Sequence, residues 1–503
     1  MQKKKYLHLI IIGIIIFLGL FLRFRLYLRG DALSLDEIFL CLNFTGTNFN
    51  EMFLQPNNHQ VCSPLFMVLY WLLYKIAGGN EFILRFSPLF FGCVSLFFFY
   101  FLLKKFFNSK LAITSGLFLF SILPPLLMYS KEIKEYSSDM LFTIILLLFY
   151  DKINLSSKRD IVLYTFGAII VSLFSYTAIP IIAIIILLKI LQNGSLKEKL
   201  NYIYPFSAVL LSGLYVLIRS FSTKDFMYKF WAGKFLPFWD LLTDCFKYFE
   251  FDERFINFMI CFFIFGFVLT LLKWKKNILP ILIFLFAISA SLLKIYPMAE
   301  RLLLYLIPIF IIFLMYPLEN INNKYLNITK NTVILIILFF FINIPQLLCN
   351  VFNKNFDIMD SPYERTLKKN ASEFFLNKIT PYTNIYCSYF MYSYIKYYDL
   401  VSSHNKLKNI NYIYNWNIDE NLIKNCWLIG FKDNPNRTTA GISEKYNGGI
   451  YSINSRNMFK HNLEQILYFA QMKKMKCEEY VIDGGNKVDY IVMVHIFKEK
   501  NNS

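Results

Sequence analysis

Apolar residues in this chain are packed into long runs, among them 9–22, 111–127, 161–188, 258–272 and 332–348. Runs approaching or exceeding ~18 apolar residues predict membrane-spanning helices. A first span is expected over about 6–28, followed by a polar loop at 29–62. The stretch 64–77 is too short to cross comfortably and predicts a helix lying at the interface. Further spans are expected at about 82–103, 111–128 and 138–150. Residues 161–189 predict a tight helical pair broken near 176–180. Then come 203–218, a charged loop from Arg219 to Arg254, a span ending at Lys273, and spans at 278–295, 302–317 and 332–349. The count is about 11 spans by this length criterion.

Beyond Asn350 the polarity becomes ordinary. Short β-prone runs at 384–389, 426–431 and 489–497 alternate with helical patterns at 362–379 and 463–475. This predicts a transmembrane domain over 1–349, with an outer loop 29–81 carrying interfacial helices, and a small α/β domain over 350–503. Charge sets the expected orientation. Loops assigned to the inside carry two or more Lys or Arg near a membrane end, beginning with Lys3, Lys4 and Lys5. Loops assigned to the outside hold Asp36, Glu37, Glu132, Glu135, Asp139 and Glu300. The N-terminus is therefore expected inside, and an odd number of spans leaves the C-terminal domain outside.

Composition agrees. Of 503 residues, 56% are hydrophobic and only 17% charged, against about 25% charged in ordinary soluble domains. The net charge of +18 would suggest nucleic acid in a soluble protein; here it sits largely in short loops and reports orientation. The nine cysteines form no CxxC pair and no Cys/His cluster at zinc spacing, so neither a structural metal nor a disulfide framework is expected. Cys387, Cys426 and Cys477 of the C-terminal domain predict no particular pairing. Arg23 and Arg25 follow the first apolar run with no small-residue cleavage site, so the first span reads as uncleaved.

Two acidic clusters are thereby expected on the same, outer side. Asp36-Glu37 follows the first span and reads either as a solvated carboxylate pair or as a general base or metal ligand. Glu132, Lys134 and Glu135 lie together at a span end. They form either an interfacial anchor or a site in which Lys134 meets a phosphate and Glu132 orients it. Tyr129 and Tyr136 suit an interfacial aromatic belt. Arg301, beside Glu300, either snorkels or pairs with a lipid phosphate. His59 reads first as a solvated loop residue, and Arg85 as a partner of Glu81. Ionisable residues held beside hydrocarbon are costly, which makes each a functional candidate.

Four segments, in order, resemble the C-type membrane glycosyltransferases (GT-C), in the bacterial branch near protein O-mannosyltransferases and the aminoarabinose transferase of lipid A. Leu35-Asp36-Glu37 resembles that family's first-loop Asp-Glu motif. Ser63-Pro64-Leu65-Phe66 with Gly78-Gly79-Asn80-Glu81 and Arg85 resembles its "Pro-Pro-Leu … Gly-x-x-Glu-x-x-x-Arg" stretch. Tyr129-Ser130-Lys131-Glu132-Ile133-Lys134-Glu135-Tyr136 resembles "Tyr-Ser-Gln-Glu-Ala-Arg-x-Tyr". Tyr296 to Arg301, with Pro308, resembles its late "Arg … Pro" span start. The chain has Ser63 where two prolines are usual, Lys131 for Gln and Lys134 for Arg; Lys keeps the charge of Arg but loses its fork.

The resemblance implies an inverting transferase that uses a sugar on a polyprenyl phosphate, at the outer face of the plasma (inner) membrane. It implies Asp36 as general base, Glu37 as its support and Glu132 as a positioning group, with Lys134 and Arg301 on the leaving phosphate. Arg85 and Tyr136 would stand on the substrate side and His59 on the acceptor side. The acceptor would be a glycan, a lipid or a protein, and nucleic acid is not a partner. A divalent metal is compatible with Asp36, Glu37 and Glu132 facing one compartment, but nothing requires one. A flippase would call for mid-span charges and paired broken helices. A polymerase or ligase would call for a large outer loop rich in Arg and His. A receptor would use its spans only as anchors.

Overall fold

The computed structural model describes residues 2–45, 47–54, 56–57, 60–192, 195–249, 251, 253–319, 362–379, 384–387, 389–402, 411–413, 425–432, 476–482 and 490–497. The expected span at 332–349, the helical pattern at 463–475 and His59 lie outside them. The chain divides into two compact units: residues 1–30 with 47–353, and residues 31–46 with 354–503. The segment carrying Asp36 and Glu37 thus belongs to the second unit.

The first unit is helical. Among the described residues, six helices are long and apolar enough to cross a membrane: Tyr6–Tyr27, Glu81–Phe106, Glu198–Ser220, Glu253–Leu272, Trp274–Leu292 and Glu300–Glu319. Pro64–Ala77, Lys110–Ile122 and Ala178–Gln192 are shorter apolar helices. This is a multi-pass α-helical membrane protein.

Local chemistry sets where these helices stop. Pro64 opens the helix Pro64–Ala77 at a position where its missing N–H is not needed. Gly78 ends it with φ 59° in the left-handed region, which costs a glycine little. Asn80 then caps the next helix, its side chain accepting from Phe82 N at 3.0 Å and Ile83 N at 3.3 Å. The expected continuous span 111–128 is instead broken. Helix Lys110–Ile122 stops at Leu123, and a short helix Pro124–Met128 follows. The Pro124-Pro125 pair has no N–H to donate, so the ladder cannot pass through it.

Two close approaches bring the core together. A Cβ on Gly19 would meet Leu96 Cδ2 at 2.8 Å and Ser121 Cβ at 2.9 Å. One on Gly92 would meet Ser130 Cβ at 2.8 Å. Between them lies Arg23, fully buried. Its guanidinium donates to Gly19 O (2.9 Å), Ser121 O (3.1 Å) and Phe120 O (3.4 Å). A cation there satisfies the last carbonyls of helix Lys110–Ile122 and the negative end of its dipole. Elsewhere the core is aromatic: Phe263 stacks on Phe310 with centroids 4.8 Å apart, and Phe284 stands edge-on to Phe310 at 5.5 Å.

In the second unit, helix Leu35–Cys41 packs against helix Tyr389–Val401, which packs against helix Pro362–Lys378. Tyr394 Oη donates to Leu33 O at 3.1 Å. Five strands form one mixed sheet: β1 (Asn384–Cys387), β2 (Asn411–Ile413), β3 (Asn425–Lys432), β4 (Lys476–Ile482) and β5 (Tyr490–Phe497), in the order β2-β1-β3-β5-β4. β1 runs parallel to β2 and β3, while β5 is antiparallel to β3 and β4.

Candidate functional site

The Tyr129–Tyr136 stretch cannot be helical at its centre, because the backbone folds tightly there. Lys134 N donates to Glu132 O at 2.8 Å, a three-residue turn around the fully buried Ile133. Three hydroxyls brace it. Ser130 Oγ donates to Leu127 O, Ser137 Oγ to Tyr129 O and Ser138 Oγ to Glu135 O, each at 2.6 Å. Local bonds of this kind compete with helix and favour turns. Lys131, Glu132 and Lys134 are all buried. Such groups persist away from water only with partners. Lys134 Nζ donates to Gln60 Oε1 at 2.6 Å. Tyr129 is also buried, packed edge-on to Tyr136 with centroids 5.1 Å apart. Its expected place in a surface belt is therefore corrected to the interior.

Three further segments of the first unit meet this turn. The first is the segment leading to Ser63, where burial and then the neighbouring Glu135 carboxylate push the Cys62 thiol well above its ordinary pKa. The second is Tyr296, pushed up by burial and then by Tyr305, Asp139 and Glu135. The third is Tyr248, raised by burial and then by Tyr129, with Arg301 acting in the opposite sense. The Arg301 guanidinium also lies 5.6 Å from the centroid of the Trp231 ring, a cation–π distance. Glu300 holds a left-handed backbone, φ 46°, uncommon for any residue but glycine. Its carboxylate is 3.1 Å from Lys234 Nζ, which also lies 3.5 Å from Asp244.

The expected site residues thus separate into two sets. Glu132, Lys134, Tyr136, Arg85 and Arg301 belong to the first unit, and Arg85 is buried one turn into helix Glu81–Phe106. Asp36 and Glu37 belong to the second unit. There Ser34 and Glu37 form a reciprocal cap: Ser34 N donates to Glu37 Oε2 at 2.7 Å, and Glu37 N donates to Ser34 Oγ at 3.2 Å. Glu37 is fully buried and lies 3.8 Å from Arg365. Asp36, its neighbour, is half-buried. Among the described residues, no group of three or more His, Cys, Asp or Glu is placed to hold a metal ion.

Sequence reasoning passed over Arg219, Gln60, Cys62, Tyr176, Tyr248 and Trp231. Their signal was weak: each is a single polar or aromatic residue in a loop or at a helix end. Arg219 is buried at the last turn of helix Ile203–Ser220, where an arginine ordinarily reaches outward to water.

No protein-family model matches the sequence, and no curated protein does. Solved structures do match. ArnT from Cupriavidus metallidurans, bound to undecaprenyl phosphate, aligns over 98% of this chain and 98% of its own, with a TM-score of 0.51 and 10% identity. The oligosaccharyltransferase AglB from Archaeoglobus fulgidus, in complex with an inhibitory peptide and a dolichol-phosphate, aligns over 78% of this chain with a TM-score of 0.45 and 11% identity. The chain spans 64% of the length of AglB. The alignment with ArnT, end to end on both chains, gives this protein the fold of the C-type membrane glycosyltransferases.

Proposed function

We propose that the protein is an inverting glycosyltransferase that moves a sugar from a polyprenyl-phosphate donor to an acceptor at the outer face of the plasma membrane. One observation carries this reading: the chain shares its fold, over 98% of both chains, with ArnT, a protein whose structure holds undecaprenyl phosphate. The buried turn with Glu132 and Lys134, and the Arg301 segment in the same unit, support it.

The chemistry needs a base, an electrophilic anomeric carbon and cations for the leaving group. An acceptor hydroxyl or amine gives its proton to Asp36 and attacks the anomeric carbon from the side opposite the phosphate. The anomeric C–O bond breaks, and polyprenyl phosphate leaves with the electron pair. Lys134 and Arg301 stabilise the charge that develops on its oxygens. Glu132 orients the donor head group, with Arg85 and Tyr136 on the substrate side, and Glu37 supports Asp36 by fixing the cap of its helix. His59 is assigned to the acceptor side. The acceptor is a glycan, a lipid or a protein, and no step requires a metal. With about 11 spans by apolar run length, the positive-inside tendency puts the N-terminus inside and the C-terminal domain outside.

Purified protein in detergent is incubated with a panel of undecaprenyl-phosphate sugars, and release of undecaprenyl phosphate is followed for wild type and Asp36→Asn. Release by wild type, reduced at least about a hundredfold in the variant as for loss of a general base, is the expected result. Equal release by both would remove Asp36 from the reaction. No release and no thermal protection by any donor would turn the reading toward transport.

A further inference from the structure

Arg219 and Tyr215 stand one turn apart on helix Ile203–Ser220, and so share a face. Both are spent on the backbone of one segment. Tyr215 Oη donates to Phe53 O at 2.6 Å. Arg219 Nε donates to Leu54 O at 2.7 Å and Nη2 to Met52 O at 3.1 Å. Arg219 Nη1 reaches the other end of the segment, donating to Cys62 O and, at 2.8 Å, to Tyr176 Oη. Tyr176 Oη itself donates to Cys62 O at 2.9 Å, and Ser63 Oγ to Phe174 O at 2.7 Å.

One guanidinium therefore gathers carbonyls from both ends of the segment between Met52 and Cys62. Few side chains can do this. A guanidinium presents five N–H donors in a rigid plane, so it spans acceptors on three sides, whereas an ammonium is a single point. A snorkelling arginine would leave its head group in water, but Arg219 is buried. A buried charge is retained where its donors are answered, and Arg219 makes four hydrogen bonds here, all to neutral oxygens.

The segment so held carries Gln60, whose side-chain oxygen accepts from Lys134 Nζ at 2.6 Å. We propose that Arg219 is a positioning residue: it ties the backbone at Met52 and Leu54 to that at Cys62, so that Gln60 holds the Lys134 ammonium in place for the donor's phosphate. The role of Lys134 toward a phosphate rests on the function proposed above; the holding of the segment does not. Arg219 touches no reacting atom. Its effect passes through the segment and Gln60 to the cation on the leaving phosphate, and so it should appear in kcat/KM.

The test compares wild type, Arg219→Lys, Gln60→Ala and the double variant, with two readouts. The first is kcat and KM for the undecaprenyl-phosphate sugar that wild type uses. The second is the rate at which N-ethylmaleimide labels Cys62, mapped by peptide mass spectrometry. Cys62 is a free, buried cysteine at the end of the held segment, and its thiol becomes reactive only when that segment opens. Arg219→Lys keeps the charge and loses the fork. It is expected to lower kcat/KM about tenfold, the effect of losing one to two charge-assisted hydrogen bonds. Cys62 labelling should accelerate by a similar factor. Gln60→Ala should lower kcat/KM to the same degree without faster labelling, and the double variant should add at most about twofold, because both act on one path. Unchanged Cys62 labelling in Arg219→Lys overturns the proposal, and so does faster labelling with an unchanged kcat/KM. If wild type neither releases undecaprenyl phosphate from any donor nor is protected against heat by one, the function proposed above falls. Cys62 labelling then still decides whether Arg219 holds the segment.

Discussion

The Glu37 carboxylate lies 3.8 Å from the Arg365 guanidinium, with 0% and 1% of the two side chains exposed. Two adjacent acids of one motif therefore have different surroundings. Glu37 faces inward to the Ser34 cap and to Arg365, while Asp36 is half-buried. Glu37→Gln keeps an acceptor for Ser34 N but removes the negative charge 3.8 Å from the buried Arg365 guanidinium. Breaking such a pair costs about 3–5 kcal/mol, and the thermal midpoint of the variant is expected to fall by several degrees. Asp36→Asn should leave that midpoint nearly unchanged. Scanning fluorimetry of both variants checks the division, and equal shifts would refute it.

Arg301 lies over the Trp231 ring at 5.6 Å. Trp231→Leu keeps the guanidinium and removes its platform, an interaction of about 0.5–2 kcal/mol. The expected effect on kcat/KM for the lipid donor is a loss of about two- to thirtyfold. Arg301→Lys, which also loses bidentate geometry, should lose more. A Trp231→Leu enzyme with wild-type kinetics would show that the ring contributes nothing to the role of Arg301.

Gly266 faces helix Ile307–Glu319 so closely that an added Cβ would run into the Phe313 carbonyl, with Pro317 Cδ 3.1 Å away. A backbone carbonyl cannot rotate aside as a side chain can, so the two helices must part. Gly266→Ala should destabilise the protein by about 1–3 kcal/mol or more. Gly167→Ala, with nothing within 4 Å of its added Cβ, should be neutral or slightly stabilising. Thermal midpoints in a single detergent compare the two.

Lys234 bridges Glu300 and Asp244 from outside the spans. Burial alone would lower its pKa, but the two carboxylates outweigh burial and raise it. A raised lysine pKa stabilises the fold at all pH values below the unfolded value, near 10.4. That stability is lost as pH climbs through the folded value. Wild type should therefore lose slightly more stability than Lys234→Met between about pH 10 and the folded pKa. Lys234 and Glu300 are each 35% exposed, so screening holds the difference below about 1 kcal/mol. Thermal midpoints measured against pH, at low and high salt, test it.

Much of the helical frame was legible in the chain. The 14-residue helix Pro64–Ala77 lies where Pro64 and Gly78 bracket an apolar stretch, and the break between Phe174 and Ala178 falls where a tight pair was expected. Strands β3 and β5 coincide with β-prone runs. The stretch expected to span at 111–128 is divided into two helices, a break that run length alone does not show and that Pro124-Pro125 explains. The site was less legible. Lys134 was singled out as a candidate from its charge and place at a span end, but Gln60, an amide in a polar loop, carries no pattern that points to it. Arg219 resembled an ordinary helix-end arginine.

Hydrophobic run length and loop charge act locally along the chain, so the sequence by itself determined that this protein is a multi-pass helical membrane protein with a more polar C-terminal region, and which ionisable residues stand at its helix ends. Which of those residues meet depends on contacts between segments far apart in sequence, and no local pattern encodes them. Only the tertiary structure decided that Glu37 is buried against Arg365, that Lys134 is held by Gln60, and that Arg219 turns inward to hold a loop. In each case the physical reason is the same: a polar group removed from water must be satisfied by whichever partner the packing brings within reach.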